Sequence, residues 1–307
     1  MYPRRVAAIR IRDDMGRELV LLREVRRIVS LVPSDTYTIC ALGAGDRLVG
    51  RTRYCVEPGG VVDGVPVVGG TKDVDPDRVT ELAPDLILAN QEENARGPLE
   101  VLADRRLPLL VSFPQRVADG FAHMARLARA LGLAREPGVV DLTRRAYALL
   151  RSDAEIAAAR PSMPRAFVPI WRDPWMTINR DTFGSDMLLQ AGADNAFADR
   201  ERRHPLAADL GRRSPIAADR AARRDLRYPR VSEEEIAERA PDLVLLPDEP
   251  YAFGEADAAA LAALDTPAAR RGAIARCDGK DLFWYGARAV DGLPRLRDLV
   301  ARLTGGA

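Results

Sequence analysis

Apolar residues along the chain fall into two recurring patterns. Short, nearly unbroken apolar runs at 26–32 (RRIVSLV), 47–52, 65–68, 85–89 (DLILA) and 107–112 predict buried strands. Helices are predicted between them. Residues 33–44 open on Pro33-Ser34-Asp35, and residues 75–82 open on acidic groups and Pro76. A third helix is expected over 99–105, and a fourth over 117–131, where Phe121, Met124, Leu127 and Leu131 share one face. Strands alternating with helices predict an α/β fold whose parallel or mixed sheet is covered on both faces.

The middle of the chain breaks this rhythm. Residues 137–160 have no Gly after Gly138 and no Pro between Pro137 and Pro161, with Leu142, Ala146, Leu149, Leu150 and Ile156 as apolar positions. The pattern predicts one helix of about 22 residues, a rod of roughly 33 Å, long enough to run along a pair of lobes. The alternation then resumes with a strand over 165–170, helices over 182–191 and 232–239, and strands over 242–246, 274–277 and 281–284. An amphipathic helix over 293–303 closes the chain, while 207–227 is polar, Arg-rich and aperiodic, as expected of a surface insertion.

An internal repeat organises these elements. Residues 74–88 read VDPDRVTELAPDLIL and residues 231–245 read VSEEEIAERAPDLVL. Val74, Glu81, Ala83, Pro84, Asp85, Leu86 and Leu88 recur without gaps as Val231, Glu238, Ala240, Pro241, Asp242, Leu243 and Leu245. One unit is used twice: an acid-capped short helix, a Pro-Asp stop, then a buried strand. The expected division is a lobe over 1–115, helices including the long one over 116–160, and a second lobe over 161–307. Ligands of paired lobes usually bind in the cleft between them.

Composition narrows the function. The 307 residues are 47% apolar and 30% charged, ordinary for a globular protein with a large core. Lys and Arg total 46 against 45 Asp and Glu, so the basic excess of a general nucleic-acid binder is missing. No apolar run approaches the roughly 18 residues of a membrane span. The first twelve residues lack the apolar core and cleavage site of a secretory leader, and no lipid-anchor cysteine follows. Cys40, Cys55 and Cys277 have no metal-like spacing and read as reduced thiols. A cytoplasmic location is expected if Met1 is the native start, and an extracytoplasmic one if an export signal has been removed.

Several stretches carry a resemblance together. They are Arg27-Ile28-Val29-Ser30-Leu31 with Pro33-Ser34, the run Ala41 to Gly50 (ALGAGDRLVG), Tyr54-Cys55 with Pro58, and both APDL repeats. Gly192 with Asn195 and Phe197, and a late Trp284-Tyr285, complete the set. In order and spacing the chain resembles the helical-backbone solute-binding proteins that serve ABC importers for cobalamin, ferric siderophores and haem, and it is most similar to the cobalamin-binding branch. The resemblance implies two Rossmann-like lobes joined by a long backbone helix, a ligand cleft between them, little domain closure and no catalysis. It implies a bulky metal chelate as cargo, no intrinsic cofactor, and an ABC permease as partner. The family's acidic docking residues fall at Asp77 and Glu234, where an ordinary helix N-terminal acid is the competing reading. Two aromatic positions of the cobalamin binders are here Thr71 and Asn90.

The candidate ligand set spans both lobes. Arg51, Arg53 and Tyr54 follow the second strand of the first lobe, where a guanidinium forks onto carboxylates or phosphate. Lys72 follows Gly69-Gly70-Thr71 and is one of only two lysines. Trp171 and Trp175 lie in a strand-end loop, either to stack on a flat conjugated ligand or to cap the second-lobe core. Trp284, Tyr285 and Arg288 precede the last helix and face the cleft by the family pattern. Only two histidines exist, His123 inside a helix and His204 in an Arg-rich loop, too few for a bare metal receptor, so no metal ligands are expected. No nucleophile elbow, phosphate loop or zinc-hydrolase pattern appears, and no catalytic residues are expected. The binding reading covers an importer's solute-binding protein or a cytosolic carrier or sensor relative of it; the alternative is an enzyme of metal-chelate or tetrapyrrole metabolism on a similar two-lobed fold, which fold likeness does not separate from a binding protein.

Overall fold

The computed structural model describes residues 8–221 and 224–305. Residues 1–7, within the stretch read above for a secretory leader, and two positions of the expected insertion therefore lie outside the described residues. The chain divides into two compact units. The first takes residues up to Pro114, Ala118–Ala148 and Tyr285–Val290; the second takes Gln115–Val117, Leu149–Trp284 and the residues from Asp291 onward.

In the first unit, β1 (Ile9–Arg12) and β2 (Glu18–Leu21) form an antiparallel hairpin that the apolar pattern did not announce. Its turn is organised by Asp13, whose carboxylate accepts from the backbone N–H groups of Met15 and Arg17. Then follow β3 (Ile28–Ser30), α1 (Pro33–Ala41), a 3-10 turn (Gly45–Arg47), β4 (Leu48–Arg51), α2 (Pro76–Glu81), β5 (Leu86–Asn90), α3 (Arg96–Asp104), β6 (Leu109–Ser112), α4 (Val117–Ala130) and α5 (Pro137–Ala148). The sheet runs β4-β3-β5-β6 with every pair parallel. All residues of β3, β5 and β6 are buried, as parallel strands covered on both faces require. The stretch 65–68, expected as a strand, contributes only an isolated bridge between Arg51 and Val67.

The second unit holds α6 (Asp153–Ala159), β7 (Arg165–Phe167), β8 (Pro169–Trp171), β9 (Met176–Thr177), α7 (Phe183–Ala191) and β10 (Asp194–Asn195). After these come α8 (Leu206–Asp209), α9 (Ala218–Ala221), α10 (Glu233–Arg239), β11 (Leu243–Pro247), α11 (Glu255–Ala262), α12 (Pro267–Arg271), β12 (Ile274–Cys277) and α13 (Gly279–Phe283). The last helix, α14 (Ala287–Thr304), starts within the first unit's residues and ends in the second's. The sheet order is β10-β7-β11-β12, again all parallel. In both sheets the unit's second parallel strand is outermost, beside the first, and the third and fourth follow, so the repeat is one of topology as well as sequence.

The repeated Ala-Pro-Asp explains how each helix turns into its strand. Ala83 and Ala240 both adopt the left-handed region, with φ of 43° and 47°. Asp85 accepts from the N–H groups of Arg26 and Arg27, each at 3.0 Å, and Asp242 accepts from that of Arg165 at 2.9 Å. In return Arg27 donates to the carbonyl of Leu82, and Arg165 to that of Arg239, satisfying helix-end carbonyls that have no partner inside the helix.

Two expectations are corrected. Residues 137–160 do not form one continuous helix: α5 ends at Ala148 and α6 begins at Asp153. Ser152 and Glu155 form a reciprocal capping box, which fixes a helix start at that point. The backbone between the two helices is held from outside it, Arg297 donating to the carbonyl of Leu149 and the Gln190 side chain accepting from the Arg151 N–H. Residues 281–283 are helical instead of extended, because the Asp278 side chain accepts from the Lys280 N–H and caps α13, and only Trp284, the residue after the helix, is extended. Among the described residues no helix is long and apolar enough to cross a membrane.

Candidate functional site

In open parallel α/β sheets, ligand groups gather at the carboxyl ends of the strands. In the first unit that edge carries Ser30, Arg51, Asn90 and Ser112. Asn90 organises the loop beyond it: its Oδ1 accepts from the N–H groups of Glu92 and Glu93, and its own N–H donates to Asn94 Oδ1 at 2.8 Å. Asn94 then donates to the carbonyls of Leu31 and Thr71. Asn90 therefore shapes the loop of residues 91–94, where the Glu92 carbonyl accepts from Lys72 Nζ at 2.8 Å.

Arg53 forms a bidentate pair with Asp73, at 2.9 and 2.6 Å, and lies 5.8 Å from the ring centre of Tyr54. The guanidinium holds the Asp73 carboxyl below its ordinary range. The pair packs closely against two glycines. Gly69 has a φ of +114°, and a Cβ there would meet the Asp73 carbonyl at 2.3 Å; a Cβ on Gly70 would meet the Arg53 guanidinium at 2.4 Å. Arg51 is half-buried and spends its guanidinium on the carbonyls of Val62 and Thr52. Tyr54 is 54% exposed.

Tyr285 is buried in the first unit. Its hydroxyl lies 2.9 Å from Ser112 Oγ and 3.4 Å from Asn90 Nδ2, and burial, then the charge of Asp35, pushes its pKa well above the ordinary value. Its ring is edge-on to His123, which pairs with Asp35 at 2.9 Å in full burial. The other ring nitrogen of His123 lies 3.0 Å from Arg126, and Arg126 pairs with Asp14 of the hairpin turn at 2.7 Å. Arg288 lies 5.8 Å from the Tyr37 ring centre.

In the second unit the two neighbouring tryptophans part company. Trp171 is 48% exposed, its ring edge-on to Tyr251 at 5.3 Å. Trp175 is a core residue: it stacks on Phe253, takes the Arg172 guanidinium 4.8 Å from its ring centre, and donates from Nε1 to Glu233. Of the two readings open for Trp175, its packing is that of the core-capping one. Trp284 is also buried and donates to Glu249 at 2.6 Å, with Lys280 5.9 Å from its ring centre. Burial raises the Glu249 pKa, against the lowering effects of the Trp284 bond and Lys280.

The two acidic positions are exposed. Asp77 pairs with Arg105 at 2.6 Å, and Glu234 borders a groove of about 620 Å³ with Arg200, Asp209 and Arg239. The sequence missed Glu249, Tyr251, Arg172 and the His123–Asp35 pair. Glu249 and Tyr251 follow the second APDL strand, a position the repeat itself marks. Among the described residues no three His, Cys, Asp or Glu side chains cluster as metal ligands. Burial pushes the thiol of Cys40 up to about 11 and that of Cys277 to about 12, so neither is a thiolate at neutral pH.

The fold and these sites define a class. A family profile described as periplasmic binding protein matches residues 28–279, and the chain belongs to that family. Among named relatives, the vitamin B12-binding protein of Pectobacterium atrosepticum is 24% identical over 226 residues, covering 72% of this chain and 71% of its own length. Among solved structures, the periplasmic vitamin B12-binding protein of Vibrio cholerae superposes with a TM-score of 0.69 at 19% identity, over 91% of this chain and 98% of its own. The periplasmic haem-binding protein of Roseiflexus sp. RS-1, in apo form, gives 0.68 at 22% identity, over 91% and 99%.

Proposed function

We propose that this chain captures a bulky metal chelate, a corrinoid before a ferric siderophore or haem, and delivers it to an ABC permease without chemical conversion. The observation that carries the reading is the likeness to vitamin B12-binding relatives over 72% of the chain, together with a family match over residues 28–279 that takes in both APDL repeats. The exposed side chains of the candidate set support it: Arg53, Tyr54 and Lys72 in the first unit and Trp171 in the second. Two aromatic faces and two cations suit a broad ligand bearing amide or anionic groups. Arg51, Trp284, Tyr285 and Arg288 have their side chains tied to carbonyls, Glu249, Ser112 and the face of Tyr37 respectively. Asp77 and Glu234 are the docking acids for permease arginines.

Two observations support delivery without conversion. The buried thiols are protonated, and His123 is committed on both ring nitrogens. The test is a fluorescence titration with hydroxocobalamin, haemin and a ferric hydroxamate, corrected for inner-filter absorption. Saturable quenching is expected in the wild type, weakened in Trp171→Ala; three flat titrations would refute the reading.

A further inference from the structure

We propose, on the reading above that Trp171 meets the chelate and Glu234 the permease, that Trp175 is the positioning residue that couples the two, so that helix α10 responds to an occupied site. Both ends lie in the second unit. Trp171 ends β8 and pairs with Met176 at the start of β9, so the turn of residues 171–175 carries both tryptophans. The same turn is stitched to the lead-in of α10. The Val231 N–H donates to the Trp175 carbonyl at 2.9 Å, the Thr177 N–H donates to the Pro229 carbonyl at 3.0 Å, and Met176 bridges Arg230. Ser232 then caps α10, with Glu233 and Glu234 in its first turn.

A second route runs through side chains. Trp171 is edge-on to Tyr251, Tyr251 leans on Phe253 at 4.7 Å between ring centres, and Phe253 stacks on Trp175 at 6.0 Å. The Arg172 guanidinium, fixed by Asp257, lies 4.8 Å from the Trp175 ring centre. At the far end the indole Nε1 donates to Glu233 Oε1 at 3.2 Å. Packed rings pass on small tilts, since a close-packed interior has little free space to absorb them. Glu233 is exposed, so its bond to the indole is made or lost as the ring tilts, while the backbone stitches hold the turn and the lead-in together in both cases. A ligand stacked on Trp171 selects one tilt, and with it one condition of that bond. Such coupling is reciprocal: a permease arginine held at Glu234 tightens chelate binding by the same factor.

Hydrogen exchange of the full chain tests this, read by mass spectrometry over residues 229–239 with and without saturating hydroxocobalamin. Occupancy should slow exchange in this stretch about fivefold in the wild type, the low end of ordinary coupling. Glu233→Gln keeps an acceptor for the indole and should behave like the wild type. Glu233→Ala, an exposed change, should still bind hydroxocobalamin saturably yet slow exchange by less than about twofold. Saturable binding without slowed exchange in the wild type, or equal slowing in Glu233→Ala, would overturn the coupling and leave the chelate reading standing; no saturable binding by the wild type would overturn both.

Discussion

His123 Nε2 donates to Asp35 Oδ1 at 2.9 Å, with both side chains 1% exposed. The second nitrogen of the ring faces Arg126, a donor, so Nδ1 is the acceptor and the proton sits on Nε2. Asp35 lies in the first turn of α1, and His123 on α4, so this bond ties two helices of the first unit together. Removing the imidazole leaves a buried carboxylate with neither oxygen matched, since Oδ2 already lacks a partner. His123→Ala should destabilise the protein by about 3 kcal/mol in urea unfolding. A loss under roughly 0.5 kcal/mol would mean that the pair contributes nothing beyond packing.

The two left-handed alanines predict a gain. Ala83 and Ala240 adopt a conformation that favours glycine, and in L residues it costs on the order of 1 kcal/mol. Ala83→Gly and Ala240→Gly should each raise stability by about 0.5 to 1 kcal/mol, measured by the same unfolding curves. Destabilisation by both would contradict the turn geometry.

Trp171 and Trp175 should respond in opposite ways. Trp175→Ala empties a site packed by Phe167 and Phe253 and should cost about 3 to 5 kcal/mol of stability. Trp171→Ala should change stability by less than about 1 kcal/mol, yet weaken chelate affinity by roughly thirtyfold, the effect of losing a 2 kcal/mol anchor. Calorimetric affinity and urea stability on both variants separate the roles.

Glu249 predicts a pH dependence. Its folded pKa is raised by burial above the ordinary 4.5, so the folded state holds a proton that the unfolded chain has released. Stability from this group is full below 4.5 and falls as pH climbs through the folded value. Glu249→Gln keeps an acceptor for Trp284 Nε1 and removes the titration. The stability difference, variant minus wild type, should therefore grow as pH rises from 4.5 toward neutrality. A difference that is constant across that range would contradict the burial of this carboxyl.

Much of the architecture was legible from the apolar runs and the repeat. DLILA and DLVLL became β5 and β11 in equivalent places of two sheets with the same strand order. The false long helix was a matter of weighing: Ser152 and Glu155 spell a capping box, but the absence of Gly and Pro drew the prediction across it. Residues 281–284 looked extended because Leu282, Phe283 and Trp284 are apolar in a row, and a run that short does not distinguish strand from buried helix. The site was less legible. Trp175 finds Phe253 seventy-eight residues away and Asp35 finds His123 eighty-eight away, pairings that no local period encodes. The insertion looked like plain surface because it is polar, Arg-rich and aperiodic; folding gathers its Asp209 with Glu235 around the buried Arg200.

Direct calorimetric titration of the wild-type chain with hydroxocobalamin tests the central claim most plainly. One ligand per chain with a Kd of about 1 μM or tighter is predicted, and the same experiment with cyanide-free haemin and a ferric hydroxamate ranks the chelates. No heat and no saturable response with any of the three would contradict the assignment of this protein as a receptor for bulky metal chelates.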